Sequence, residues 1–416
     1  MTDQTGATAP ITFADPAVQQ CPFESYDKLR EEEPVYRDPV TGNYILTRYE
    51  DIRKALLNTR ALRNRTGLTG TRSNEGANRI YAEKGWMPID TLVSNDAPEH
   101  RLYRTLVDKV FTPPRVASLE PRIEEIVAEL IDAMAATRDA QGEVDFLDAF
   151  AIRLPMYVIA EQLGVPRADM DRFKLWSDVS VESVNPMLTP EREVEIAEIT
   201  TEMQHYLAAE IERVRAVPNE TLISHLANTE TQGRLLDVRE LLSIIHQLLV
   251  AGNETTTTTL ASGMLWFTEQ PDLAETIHAA PARAKQFAEE VLRTRSPIQL
   301  MFRRVAEPVE IGGAEIPEGA LVEVRFGAAN RDPAQYACAH AVDLDRANAS
   351  SHLAFGAGPH LCIGNQLARG ELRIAFQALT RHFAGFRQSR GDASVEWMTS
   401  YIAHGPSRLW IDFERR

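Results

Sequence analysis

The sequence is poor in cysteine, in long apolar runs and in positive charge. Its 3 cysteines, Cys21, Cys338 and Cys362, are odd in number and widely scattered over 416 residues. That excludes a disulfide framework and suits a reducing compartment. No stretch reaches the roughly 18 uninterrupted apolar residues that a membrane helix needs. The richest segment, Leu241 to Val250, is broken by Ser243, His246 and Gln247. Lys plus Arg number 44 against 60 Asp plus Glu, a formal charge of −16. Such a chain repels phosphate backbones, which argues against nucleic acid as a partner. The opening Met1-Thr2-Asp3-Gln4-Thr5-Gly6 lacks the basic-then-apolar order of a signal peptide. We therefore expect a cytoplasmic protein that does not enter a membrane.

What is present is the composition of an ordinary folded protein, 44% hydrophobic and 25% charged. Residues 1–20 read as an irregular leader, Val35 to Thr47 as a β-like stretch and Tyr49 to Leu57 as an amphipathic helix. Residues 58–95, with Gly67, Gly70, Gly76 and Gly85, read as a long mobile loop. Helical patterns dominate from Pro98 to about Pro297. Arg304 to Val324 then reads as two short strands around the turn residues Gly312-Gly313, and Asn365 to Phe383 as a helix. No repeat and no linker-like stretch divides the chain. The expectation is one mainly helical unit over 1–416 with small β-sheets.

The most informative segment is Phe355-Gly356-Ala357-Gly358-Pro359-His360-Leu361-Cys362-Ile363-Gly364. It places Cys362 at the mouth of the last helix, where partial positive charge and free N–H groups lower a thiol's pKa. Gly356, Gly358 and Gly364 permit turns and close approach of a flat ligand, and Phe355 offers an aromatic face. A lone thiolate ligand suits haem iron. Two other readings of the bare residues are an inert buried cysteine and a zinc site using His352, His360 and Cys362, although the latter lacks zinc-site spacing.

Two further patterns carry chemistry. Asp237-Val238-Arg239-Glu240 forms a capping box that opens a helix running toward Pro271. Its interior, Ala251-Gly252-Asn253-Glu254-Thr255-Thr256, followed by Thr257 to Thr259, is poor helix, because glycine and threonine each cost several tenths of a kcal/mol to about 1 kcal/mol against alanine. Glu290-Val291-Leu292-Arg293 sets a carboxylate and a guanidinium on one helical face.

The string Phe355-Gly356-x-Gly358-x-His360-x-Cys362-x-Gly364 resembles the haem-thiolate signature of the cytochromes P450, the soluble bacterial branch in particular. The other motifs follow in that family's order, so the resemblance covers nearly the whole chain. It implies the cytochrome P450 fold and haem b with Cys362 as axial metal ligand. It also implies a monooxygenase that takes one oxygen atom from O2 for hydroxylation or O-dealkylation of a small or medium lipophilic substrate. Glu254 and Thr255 match the catalytic acid–alcohol pair, beside a groove at Ala251 and Gly252 that lies against the haem. Glu290 and Arg293 match the buried structural pair behind the cysteine loop. The usual third member aligns with Ala341, leaving His340 or Arg346 to supply the contact.

His100 and Arg104 resemble the family's His-x-x-x-Arg motif, and Arg303 and His360 match its other propionate donors. A shift of one residue exchanges Arg303 with Arg304. The resemblance implies electrons from a [2Fe-2S] ferredoxin with its NAD(P)H-dependent reductase, or from a flavodoxin, docking on Arg101, Lys109, Arg115, Arg369 and Arg373. Expected pocket walls are the 58–95 loop, Phe173 to Leu188, Leu248 to Gly252, Ile298 to Met301, and Ile402, mostly apolar. The alternatives are a non-catalytic haem-thiolate sensor and a peroxide-driven haem enzyme.

Overall fold

The computed structural model describes residues 10–66, 74–183 and 188–416. Residues 1–9 of the expected leader, 67–73 of the expected loop and 184–187 of one expected pocket wall lie outside the described residues. The helices that matter for the site are α1 (Tyr49–Leu57), α2 (Glu75–Lys84), α3 (Glu99–Asp108), α4 (Pro113–Gln141), α5 (Met170–Glu182), α6 (Pro190–Ala216), α7 (Val238–Glu269), α8 (Ala284–Thr294) and α9 (Asn365–His382).

Helix α7 forms where its capping box predicts. Asp237 Oδ1 accepts from the Glu240 N–H at 2.9 Å, and Glu240 Oε2 accepts from the Asp237 N–H at 2.8 Å. It ends before Pro271, which opens the next helix. Helices α4, α7, α8 and α9 share one apolar core in which Phe267 stacks on Phe287 at 4.6 Å. A Cβ at Gly263 would collide with the Phe376 ring, so glycine is what lets α7 and α9 approach so closely.

A five-stranded sheet flanks this bundle. Its strands are β1 (Val35–Arg37), β2 (Tyr44–Leu46), β3 (Leu62–Arg63), β4 (Leu300–Val305) and β5 (Leu321–Arg325), ordered β1-β2-β5-β4-β3. The β2–β5 pair is parallel and the others are antiparallel.

Two expectations need correction. The stretch read as two strands from Arg304 to Val324 is β4 and β5 with a separate hairpin between them, Val309–Ile311 against Ala314–Ile316. Its turn takes positive φ at both Gly312 (+56°) and Gly313 (+83°), as a tight hairpin requires. The 58–95 stretch contains α2, capped by Asn74, whose Oδ1 accepts from the Ala77 N–H at 3.1 Å. Its helicity comes from docking on α6, where Ala77 and Ile80 bury against Ala197.

Candidate haem-binding site

The cysteine loop is a hydrogen-bonded turn built on positive φ at Gly356 (+68°) and Gly358 (+71°). The Cys362 N–H donates to the Phe355 carbonyl at 2.9 Å, and Asn365 Nδ2 donates to the Cys362 carbonyl at 2.6 Å. The sulfur also receives the Gly364 N–H. Burial nevertheless pushes the thiol up, outweighing that N–H and the Arg104 and Arg369 charges. The expectation of a thiol lowered by the helix N-terminus is thus reversed, because desolvation is the larger effect. A thiolate at this position calls for a bound metal cation, which deprotonates a coordinating thiol outright.

The cations expected to meet propionates do converge. The His100 and His360 rings lie 4.0 Å apart. Burial, then the His100 and Arg303 charges, hold His360 down at about 3. Arg303 is only 7% exposed, and burial lowers it to about 10. Its one hydrogen bond among the described residues goes to the neighbouring Phe302 carbonyl at 2.8 Å. The acid acting on it, Asp96, already accepts from the Asn64 and Arg65 N–H groups at 2.9 and 3.0 Å. Arg104 donates to the Leu361 carbonyl of the cysteine loop at 2.6 Å and to Asp108 at 2.9 Å. A buried guanidinium without a carboxylate, beside two imidazoles whose pKa burial lowers, fits a ligand that brings its own carboxylates.

The strand's alternation separates the two candidate arginines. Arg304, on the other face of β4, donates to the Thr66 and Gly319 carbonyls, each at 2.8 Å.

Helix α7 is largely buried before and after its weak turn but exposed at Ala251 and Gly252. A Cβ at Gly252 would meet no atom within 4 Å. The Thr255 hydroxyl donates to the Ala251 carbonyl one turn back at 2.9 Å. Burial, and after it the Asp178 carboxylate, push the Glu254 carboxyl above its ordinary range, with Lys174 pulling the other way. Sequence reasoning missed the buried bond beside it, from Asn253 Nδ2 to Ser177 Oγ at 2.6 Å.

Glu290 and Arg293 are both fully buried and joined by two bonds, 2.7 and 2.9 Å. Arg346 takes the third place, with Nε 3.1 and 3.2 Å from the two Glu290 oxygens. Ala341 contributes only its carbonyl, to Arg293 at 2.8 Å, and His340 turns instead to Arg331 and Asp27. A second buried network had no sequence signal. Glu289 is met by His352 at 3.2 Å and by Arg369 at 2.6 Å. Burial pushes its carboxyl up, but these two partners outweigh it and hold the group at about 2.

His352 is engaged by Glu289, and among the described residues no three His, Cys, Asp or Glu side chains gather as a metal site. Of the expected walls, the segment after α2 is tied to α7. The Ile89 N–H donates to Ser243 Oγ at 3.1 Å, and the Val93 N–H to Gln247 Oε1 at 3.0 Å. Ile298 pairs with Ala403, and the Gln299 N–H donates to the Ile402 carbonyl at 2.7 Å.

Comparison with known proteins shows the family and the fold. The family model described as Cytochrome P450 matches residues 184–396. The chain is 34% identical over 411 residues to Cytochrome P450 107B1 of Saccharopolyspora erythraea, covering 97% of this chain and 98% of that one. It is 38% identical over 389 residues to the Mycinamicin IV hydroxylase/epoxidase of Micromonospora griseorubida, covering 92% and 94%. The solved structure of Cytochrome P450 CYP109Q5 from Chondromyces apiculatus superposes with a TM-score of 0.86 at 31% identity, covering 98% of each chain.

Proposed function

Because the chain belongs to the cytochrome P450 family, a family of haem-thiolate monooxygenases, we propose that it hydroxylates or O-dealkylates a small or medium lipophilic molecule with electrons from a separate ferredoxin system. The observation that carries this reading is the buried Cys362 turn beside a cluster of His100, His360, Arg104 and Arg303, in which, among the described residues, the Arg303 guanidinium has no carboxylate bound to it. Haem bound there supplies the oxygen chemistry, in which one atom of O2 enters a C–H bond and the other leaves as water.

The chain's own residues bind, orient and move protons. Cys362 would ligate the haem iron through its sulfur, seated by Phe355, Gly356 and Gly364. His100, Arg104, Arg303 and His360 would hold the propionates, and Ala251 and Gly252 would leave room beside the bound group. Thr255 presents a hydroxyl and Glu254 a carboxyl that burial keeps protonated to a higher pH than usual, so together they hand protons inward. Glu290, Arg293 and Arg346 brace the loop from behind. The whole of 1–416 works as one unit, in the cytoplasm. Among the described residues no helix is long and apolar enough to cross a membrane.

The substrate class rests on the apolar walls and on the relative named for hydroxylating or epoxidising mycinamicin IV. The electron donor is a [2Fe-2S] ferredoxin with its NAD(P)H-dependent reductase, or a flavodoxin. Its docking face is narrower than the sequence suggests. Arg369 is held by Glu289, Arg373 pairs with Glu120 at 2.6 Å, and Arg115 donates to the Glu220 carbonyl at 2.7 Å. Arg101 and Lys109 stay exposed. With Arg101→Glu and Lys109→Glu combined, ferredoxin-driven reduction at low salt should slow about tenfold or more, and the deficit should shrink as salt rises. An unchanged stopped-flow rate at low salt would remove this face from the account.

A further inference from the structure

Helices α5 and α7 pack through apolar contacts, with Phe173 and Trp176 in the same core as Leu241, Ile245 and Leu249. Such contacts are non-directional and leave rotation and sliding weakly fixed. Among the described residues one side-chain hydrogen bond joins the two helices, Asn253 Nδ2 to Ser177 Oγ at 2.6 Å. Both residues are buried, 6% and 1% exposed. Asn253 lies on the weakest turn of α7, directly after Gly252, where backbone freedom is greatest.

The neighbours of this pair are the telling feature. Asn253 precedes Glu254, and Ser177 precedes Asp178. Asp178 accepts from Lys174 at 2.7 Å one turn back on α5, and this pair is half-exposed (side chains 56% and 40%). The bond therefore ties α5 to α7 one residue away from both the ion pair of α5 and the acid of α7.

We propose that the Ser177–Asn253 hydrogen bond is a positioning contact for Glu254, holding Asp178 and Lys174 of α5 against that carboxyl. The inference rests on the role proposed above for Glu254. Among the described residues Asp178 and Lys174 are the charged groups that act on Glu254, and burial acts with Asp178 to push that carboxyl above its ordinary range. If the bond is lost, α5 lifts, water enters, and the Asp178 carboxylate recedes. Each of these lowers the pH at which Glu254 ionises, and the loss of Lys174 opposes them only in part.

The test is a pH titration of protonated-carboxyl infrared bands on the full-length, haem-loaded protein. The Glu254 band is assigned by its loss in Glu254→Gln. Glu371 on α9, which burial alone pushes up to about 8, gives an internal control assigned by Glu371→Gln. In Ser177→Ala the Glu254 band should titrate about half a pH unit or more lower, with Glu371 unmoved. Asn253→Ala should give the same shift from the other side of the bond, and Ser177→Thr, which keeps the hydroxyl, should restore the wild-type midpoint.

If Glu254 titrates high in the wild type and stays there in both alanine variants, the positioning contact is overturned while the reading of Glu254 stands. If Glu254→Gln removes no band and leaves the yield of product per electron unchanged, the reading of Glu254 falls and the inference with it.

Discussion

Arg293→Ala should leave little folded, haem-loaded protein. Both members of the Glu290–Arg293 pair are entirely buried, so their link cannot be treated as a surface bridge. Arg293 also donates to the backbone carbonyls of Asn330, Ala339 and Ala341, at 3.0, 2.6 and 2.8 Å, and its guanidinium lies over the Tyr336 ring. Removing it strips those carbonyls and leaves Glu290 a buried charge with Arg346 and the Asp343 N–H as its remaining donors.

Breaking a buried pair in this way costs about 3–5 kcal/mol, against a total stability of about 5–15 kcal/mol for a typical domain. Arg293→Lys should rescue poorly, because an ammonium cannot reproduce the fork. Arg346→Ala should cost less, since both fork bonds to Glu290 remain. Thermal unfolding and haem content of the three variants check this order. A melting temperature for Arg293→Ala within a few degrees of wild type would show that the network does not brace the cysteine loop.

Thr255→Ala should separate electron use from product formation. The hydroxyl sits at the exposed edge of the weak turn, one residue from Glu254, and its bond to the Ala251 carbonyl holds it in place. Alanine removes a hydroxyl that orders water and passes a proton, while leaving the fold intact, since threonine's back-bond is not a strong helix contact. We expect NADH oxidation to continue while organic product falls about tenfold or more and hydrogen peroxide takes its place. Thr255→Ser should keep much of the wild-type yield. Unchanged product per NADH in the alanine variant would deny Thr255 its role.

Legibility in the sequence followed how local each cause is. The cysteine loop, the capping box of α7 and the Glu290–Arg293 spacing are set by residues a few positions apart, so their patterns survive in one dimension. Helix α2 is not of this kind. Its glycines suggest a loop, and only packing on α6, more than a hundred residues along the chain, makes it helical.

Arg346 was visible as a candidate beside His340, but only the turn of chain around Glu290 selects it. Ser177 and Asn253 meet across 76 residues with no motif to link them. The same holds for Glu289 with His352 and Arg369. The Cys362 thiol shows the opposite error. A local argument from the helix N-terminus points down, while burial by the rest of the fold moves the group up.

The proposed function requires that Cys362 bind haem iron through its thiolate. The direct measurement is the absorption spectrum of the dithionite-reduced, haem-loaded protein with and without carbon monoxide, for the wild type and Cys362→Ser. Thiolate ligation should give a strongly red-shifted Soret band for the wild-type carbon monoxide adduct that is absent from the variant. A wild-type band at the position typical of histidine or neutral thiol ligation, or no haem band from folded protein supplied with haem, would contradict it.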